Sequence, residues 1–433
     1  MSIGGSAILL FCIFALLLVS GVPISIGILV SSIATALTIL PWEQVSFITM
    51  QKMVSGVESF SLLAVPLFIL AGNIMNNGGI ARRLINFAKI LAGRLPGTLA
   101  HTNVLGNMLF GALSGSAVAA AAAIGGTLAP IEKEEGYDPA FSACVNIASA
   151  PSGLLIPPTS AFIVYSTVAG GVSISALFMA GYIPGILMGL ATMVIAFLYA
   201  KKHKYPVAGK VSLSVAAKTT LDAVPSLILI IIVIGGIVGG IFTATEGAGV
   251  AVLYCTILSL LYKNLTWKKF KKILLNSAST SGIILFLISA SSVMSWVMAY
   301  TGIPKAISES ILGVSDNGIV VLLLMNVILL IIGTFMDITP AILIFTPIFL
   351  PIAQNFGMSS VQFGVVLIFN LCIGLMTPPV GSVLFVSCGI SKISIEQVAK
   401  MLIPYLIALV VILLAVTFIP AISLILPELM GLL

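Results

Sequence analysis

The amino-acid sequence predicts an all-α polytopic membrane protein made of two inverted copies of one helical unit, each with a re-entrant helical hairpin and a broken transmembrane helix. Three observations predict it. Of 433 residues, 60% are hydrophobic and 7% charged, whereas soluble domains carry roughly a quarter charged residues. Two apolar stretches, 101–130 and 319–354, are interrupted near their middles by small, polar or helix-breaking residues. A series of short motifs recurs in the same order about 221 residues further on, the mark of a duplicated unit.

Taken in chain order, spans are predicted near 6–20, 22–40, 57–77, 141–168, 174–200, 221–241, 243–262, 277–301, 362–390 and 396–426. Apolar runs such as Ile8 to Val19, Leu227 to Ile241 and Leu402 to Ile419 approach, with their flanks, the width of a bilayer's hydrocarbon core. In lipid they must be helices, because every backbone N–H and C=O needs an internal partner. The first block has no basic flank before it and no A-x-A site after it, so it reads as a retained helix. Cys12, Cys144, Cys255, Cys372 and Cys388 all lie in apolar stretches without a C-x-x-C pair and read as small buried hydrophobes.

The interruptions are Leu113-Ser114-Gly115-Ser116 and Gly333-Thr334-Phe335-Met336-Asp337-Ile338-Thr339-Pro340. Both stretches read as hairpins of two half-helices that enter and leave on one side. With the chain threaded that way, the loops 79–100, 131–140, 201–220, 263–276 and 391–395 share a side. All Lys and Arg except Lys52 and Lys305 fall there or at its helix ends. The asymmetry makes that side the cytoplasm, so the first hairpin opens toward the cytoplasm, the second toward the periplasm, and both termini are periplasmic. The net charge of +6 is therefore a topology signal and not a nucleic-acid patch. A cytoplasmic arm helix is predicted at 79–100, a cytoplasmic connector at 201–220 and a periplasmic connector at 302–318. Residues 81–91 mix bases with apolar residues as an interfacial helix does, and 267–274 fit either that role or ordinary juxtamembrane anchoring.

The repeat is the second, independent line of argument. Gly153-Leu154-Leu155-Ile156-Pro157-Pro158 followed by Ser166 aligns without a gap with Gly374-Leu375-Met376-Thr377-Pro378-Pro379 followed by Ser387. Gly79-Ile80 pairs with Gly302-Ile303, Gly111 with Gly333, Ala129-Pro130-Ile131 with Leu350-Pro351-Ile352, and Ile183-Pro184 with Ile403-Pro404. Residues 1–220 and 221–433 then form two repeats, each with five crossings and one hairpin. Five is odd, so the second copy lies upside down. Such copies can exchange conformations and open opposite sides in turn, which points to alternating-access transport.

Ions and substrate are expected at the interruptions. A proline pair frees carbonyls that a helix would otherwise bond, sodium is served by carbonyl and hydroxyl oxygens, and half-helix N-termini favour an anion. One sodium site is predicted from Ser114 and Ser116 with the backbone of Pro151 and Gly153, a second from Gly333, Asp337, Gly374 and Thr377. Asn146 and Asn370, just before the breaks, are secondary ion ligands or caps. Ser114, Gly115, Thr159, Ser160, Thr339, Gly381 and Ser382 are the candidates for the substrate. Asp337 either binds an ion or caps the outgoing half-helix, while Glu246 is expected to cap its span. The bland alternative is that the prolines only kink packed helices.

At these residues the sequence becomes familiar. The segments 333–344, 369–381 and Phe242-Thr243-Ala244-Thr245-Glu246-Gly247-Ala248 strongly resemble the large membrane subunit of tripartite ATP-independent periplasmic (TRAP) transporters, and the resemblance runs end to end. One departure is Ala244 where the family usually has proline. The resemblance implies an elevator-type mechanism, sodium (Na+) coupling, a periplasmic substrate-binding protein and a small four-helix membrane subunit, the last expected as a separate chain because this one opens at the large subunit's first span. It implies a bacterial inner-membrane location and a small organic anion as substrate, a C4-dicarboxylate or, in the branch this chain looks more like, a sialic acid.

An intramembrane enzyme is the rival from another class, but His101 and His203 stand alone and no H-E-x-x-H, G-x-S-x-G or G-x-x-x-x-G-K-[ST] occurs. A passive anion channel is the third reading; it predicts uptake indifferent to a sodium gradient.

Overall fold

The structure, a computed structural model, describes residues 3–207, 209, 212–313, 317–378 and 380–433, and among these there is helix but no strand. Pro379, the second proline of the later pair, lies outside them. The helices are α1 (Ile3–Val19), α2 (Ile24–Ala36), α3 (Trp42–Ser55), α4 (Ala64–Asn77), α5 (Ile80–Ala92), α6 (Thr98–Ser114), α7 (Ala117–Ala120), α8 (Gly126–Glu134), α9 (Pro139–Ser149), α10 (Ser152–Leu155), α11 (Ser160–Val168) and α12 (Ile174–Lys202). They continue as α13 (Leu213–Val238), α14 (Ala244–Leu261), α15 (Trp267–Thr301), α16 (Ile303–Leu312), α17 (Gly318–Phe335), α18 (Ile338–Asn355), α19 (Ser360–Gly374), α20 (Ser382–Ser391), α21 (Ile395–Phe418) and α22 (Ala421–Leu429). A 3-10 turn at Phe60–Leu63 leads into α4, and a π turn at Ala121–Gly125 joins α7 to α8.

Eight helices among the described residues are long and apolar enough to cross a membrane, and the bent pair Pro139–Leu155 with Ser160–Val168 makes a ninth. Their apolar side chains are not all turned inward: Val194, Leu198, Ile231, Leu253, Ile407 and Val411 are exposed on the rim, as lipid requires. The ends follow local chemistry. Asp138 accepts from the Ala140 amide ahead of Pro139, and Thr243 with Glu246 forms a capping box, so Glu246 has the capping duty expected of it. Gly79 and Gly302, which the repeat pairs, both hold left-handed backbone immediately before α5 and α16.

The helices pack as two sets. One contains α1 to α5 with α13 to α16, tied together by α4 on α14, α2 on α15 and α5 on α13. The other contains α6 to α12 with α17 to α22, where α6 lies against α9 and α10, and α17 against α19. The sets meet where α4 and α5 touch α6, where α15 and α16 touch α18, and where α11 touches α4.

Several boundaries differ from the sequence reading. Residues 42–55, read as a loop, form α3, which buries Val45 and Thr49 and exposes Phe47, Met50 and Val54. Residues 267–274 are neither a separate interfacial helix nor a mere flank but the start of the 35-residue α15, because no glycine or proline interrupts the join. The span at 396–426 divides at Ile419-Pro420, proline lacking the donor to continue α21. The connector at 201–220 is helical from Leu213, and the one at 302–318 contains α16. The arm helix stops at Ala92, where Gly93 takes positive φ, and α6 starts at Thr98, before the predicted hairpin boundary. Four cysteines are buried, but Cys12 is exposed.

Candidate substrate and ion site

Each interrupted stretch meets its neighbouring break at a glycine crossing. A Cβ placed on Gly153 would lie 2.2 Å from Gly111 Cα, and one on Gly374 would lie 2.3 Å from the Gly333 carbonyl carbon. Backbone therefore touches backbone at both crossings, and the four glycines are the two pairs that the repeat relates. The packing is reciprocal as well: α11 rests on α18, while α20 rests on the π turn between α7 and α8. Between the two breaks, Cys372 Sγ lies 3.5 Å from the Pro151 carbonyl oxygen; these are positions 221 residues apart, the repeat's own offset.

The interruptions shape the hairpin tips. Gly115, at φ +62°, turns the chain out of α6, and Ser116 accepts from the Ala119 amide (3.3 Å) to start α7. Ser114 donates to the Ser116 carbonyl at 3.4 Å. In the second tip Asp337 accepts from its neighbour's amide, Ile338 N, at 2.9 Å, so it does cap α18; its second oxygen remains available. Gly381 N donates to Thr334 O at 3.3 Å, stitching the α19–α20 break to that tip.

Both tips open on one cavity of about 410 Å³, lined by Ser114, Gly115, Ser116, Ser160, Asp337 and Thr339 from the second helix set. Among the described residues, Asp337 is the only charged one lining it. A smaller cavity of about 150 Å³ behind the second tip contains Gly333, Asp337, Gly381 and Ser382, so Asp337 borders both. Six of the predicted residues are thus together in the main cavity and three more adjoin it.

The others lie behind these walls. Pro151, Gly153 and Gly374 are buried at the crossings, and Thr377 donates to Ile373 O (2.7 Å) within its own helix end. Thr159 is fully buried with its hydroxyl unpartnered. Asn146 and Asn370 sit in buried amide networks rather than at the cavity. Asn107 Nδ2 lies 3.0 Å from Asn146 Oδ1 and 2.8 Å from Ser149 Oγ. Asn370 Nδ2 donates to Asn326 Oδ1 at 2.7 Å, and Asn326 Nδ2 to Thr417 Oγ1 at 3.1 Å.

Sequence reasoning missed the opposite wall. Asn73 and Asn76 of α4 and Thr280 of α15 face the tips, and Asn73 donates to Ser277 Oγ at 2.8 Å. A Cβ on Gly72 would lie 3.1 Å from Ser114 Cα and its carbonyl oxygen, so α4 runs directly against the first tip. The available signal was the cluster of asparagines, Asn73, Asn76 and Asn77, in the last turns of an otherwise apolar helix.

No group of three or more His, Cys, Asp or Glu that could hold a metal exists among the described residues. A cation here must rely on carbonyls, hydroxyls and one carboxylate, a donor set suited to a hard monovalent ion. At the breaks the carbonyls of Pro151, Ser152, Ile373, Gly374 and Leu375 already accept hydrogen bonds, contrary to the expectation that the prolines free them, so the unpartnered hydroxyls of Thr159 and Ser382 and the Asp337 carboxylate are the donors of that kind left over.

A cavity walled by two sets of membrane helices, with broken helices ending in it, is the kind of site a membrane transporter has. The chain belongs to the DctM component family of tripartite ATP-independent periplasmic transporters, whose profile matches residues 11–422. It is 54% identical to the protein YgiK of Salmonella typhimurium over 98% of this chain and 97% of that one. The isethionate TRAP transporter permease protein DctMQ of Oleidesulfovibrio alaskensis is 39% identical, covering 95% of this chain and 65% of that protein. The sialic acid TRAP transporter large permease protein SiaM of Vibrio cholerae is 36% identical over 95% of this chain and 96% of that one. In fold, the chain is similar to the YdaH transporter of Alcanivorax borkumensis, with a TM-score of 0.61 at 14% identity over 87% of this chain and 89% of the other.

Proposed function

We propose that this subunit carries a small organic anion into the cell by sodium symport, with the second helix set moving as an elevator against the first. The observation that carries the reading is the single cavity on which both hairpin tips and the start of α11 converge. Exposed half-helix N-termini there offer backbone N–H groups to an anion. A charged Asp337 and an anionic substrate in the same cavity would repel each other, so a cation bound with the substrate removes the conflict. Ser114, Ser116 and Asp337, with the remaining lone pairs of the break carbonyls, are assigned to sodium; Gly115, Ser160, Thr339, Gly381 and Ser382 to the substrate.

The reciprocal packing of α11 on α18 and of α20 on the π turn supports a two-fold, inverted relation between residues 1–220 and 221–433. The first set, which contains neither hairpin, serves as scaffold. A periplasmic binding protein delivers the substrate, and a small four-helix membrane subunit completes the assembly; a permease named DctMQ, longer than this chain, supports such a partner. The basic loops face the cytoplasm and both termini the periplasm of the bacterial inner membrane. Relatives of similar identity are named for isethionate and for sialic acid, so the substrate class is a small carboxylate or sulfonate, with no preference for sialic acid.

Uptake into vesicles containing the subunit, its small partner and the binding protein tests this. Accumulation should require an inward sodium gradient, and Ser116→Ala or Asp337→Ala should abolish it while membrane insertion stays intact. Normal transport by both variants removes the site assignment, and uptake indifferent to sodium makes the protein a passive channel.

A further inference from the structure

At the far end of the first hairpin, away from the cavity, lies a group that the transport reading does not use. Glu132, just beyond the 101–130 hairpin in the last turn of α8, is 1% exposed, and no hydrogen bond of normal geometry reaches either carboxyl oxygen. It is faced by Asn103 of α6 and Ser142 of α9, themselves 1% and 4% exposed, whose amide nitrogen and hydroxyl are unpartnered too. Three polar side chains from three helices thus converge in a buried pocket with no salt bridge among them.

Among the described residues, no cation balances a carboxylate there. Of the other groups that bear on it, Glu135 is negative, Tyr137 is neutral, and Lys133, beside it in sequence, is exposed. On the packed helices, the titratable residue of α6 is His101, α9 has Cys144, and α20 (SVLFVSCGIS) carries Cys388 and no charged residue. A buried unpaired carboxylate becomes neutral rather than remain charged.

We propose that the base of the first hairpin is a proton-binding site, in which Glu132 holds a proton while α8 is seated on α6 and α9 and releases it when that seat opens. Burial lifts the Glu132 carboxyl to about 7, with Ser142 and Asn103 pulling it down and Glu135 adding to the rise. Asn103 connects the pocket inward: its Oδ1 accepts from Asn107 Nδ2 at 2.8 Å, and Asn107 reaches Asn146 and Ser149 beside the Gly111–Gly153 crossing. Proton occupancy at the base is thereby linked through α6 to the packing of the transport site. The inference stands without the sodium-symport reading, since its test measures neither transport nor substrate binding.

The sign follows from linkage. A carboxyl raised on folding adds stability that is fully present below its unfolded value near 4.5 and is lost as pH rises through its folded value near 7. Purified subunit should therefore melt at progressively lower temperature between about pH 5 and pH 8, and Glu132→Gln, neutral throughout, should remove most of that decline. Infrared difference spectra of the wild type over the same range should show a protonated-carboxyl C=O band that titrates near neutrality and is missing from Glu132→Gln, or from Glu132→Met if the glutamine variant does not fold. Parallel melting curves for wild type and variant, or no such band, overturn the proposal. So does stabilisation of the wild type alone by sodium or potassium at the alkaline end, which would make the occupant a metal cation.

Discussion

At the scale of single residues, the glycine crossings and the amide networks carry the most definite expectations. Added methyl groups should damage the protein in proportion to what they meet. Gly153→Ala and Gly374→Ala strike backbone at 2.2 and 2.3 Å, whereas Gly333→Ala meets its nearest atom at 3.2 Å. The first two should cost about 1–3 kcal/mol or prevent folding, and Gly333→Ala much less; melting temperatures in detergent check the ranking. Asn107→Ala leaves Asn146 and Ser149 short of a partner and should destabilise by about 1–2 kcal/mol. Ser114, Gly115, Ser116, Ser160, Asp337 and Thr339 were legible because polar or helix-breaking residues inside an apolar stretch have few explanations besides a site. Asn73, Asn76 and Thr280 were not, because a polar side chain on an unbroken helix leaves its neighbours' backbone bonds intact and gives no interruption to notice. Asn146 and Asn370 were legible as polar but not as to partner, since the helices that satisfy them are remote in sequence.

At the scale of elements, the paired breaks were readable from proline and glycine, and the long spans from hydropathy. The elements that escaped, α3, α16 and α22, are short helices of mixed character whose order depends on what they pack against. The opposite error, division of α15, arose because a charge-rich turn looks like a boundary though nothing in Trp267–Thr301 breaks a helix. Caps offer a test that separates stability from transport. Thr243→Ala removes the capping box of α14, far from the cavity, and should lower stability by about 1 kcal/mol while leaving the sodium dependence of uptake unchanged. On the arm helix α5, Arg83 pairs with Asp222 at 3.1 Å and stacks over the Tyr262 ring at 3.4 Å, holding α5 to α13 and α14. That attachment places α5 with the first set even though it also packs on α6.

At the scale of the whole molecule, the two sets of helices are the units whose relative movement the transport reading requires. Their contact at Gly72 and Ser114 is close enough that a larger side chain should act as a stop. Gly72→Val should insert and bind substrate but lose most uptake, read from vesicle flux against binding. The central claim is that the tip cavity is reached from each side of the membrane in turn. Val118→Cys, on the cavity lining but outside the assigned ion and substrate groups, in a background with exposed Cys12 replaced by serine, can be labelled with a membrane-impermeant thiol reagent added to either face. A cavity exposed alternately will be labelled from both faces, with sodium and substrate shifting the balance between them; labelling confined to one face under every condition would rule alternating access out.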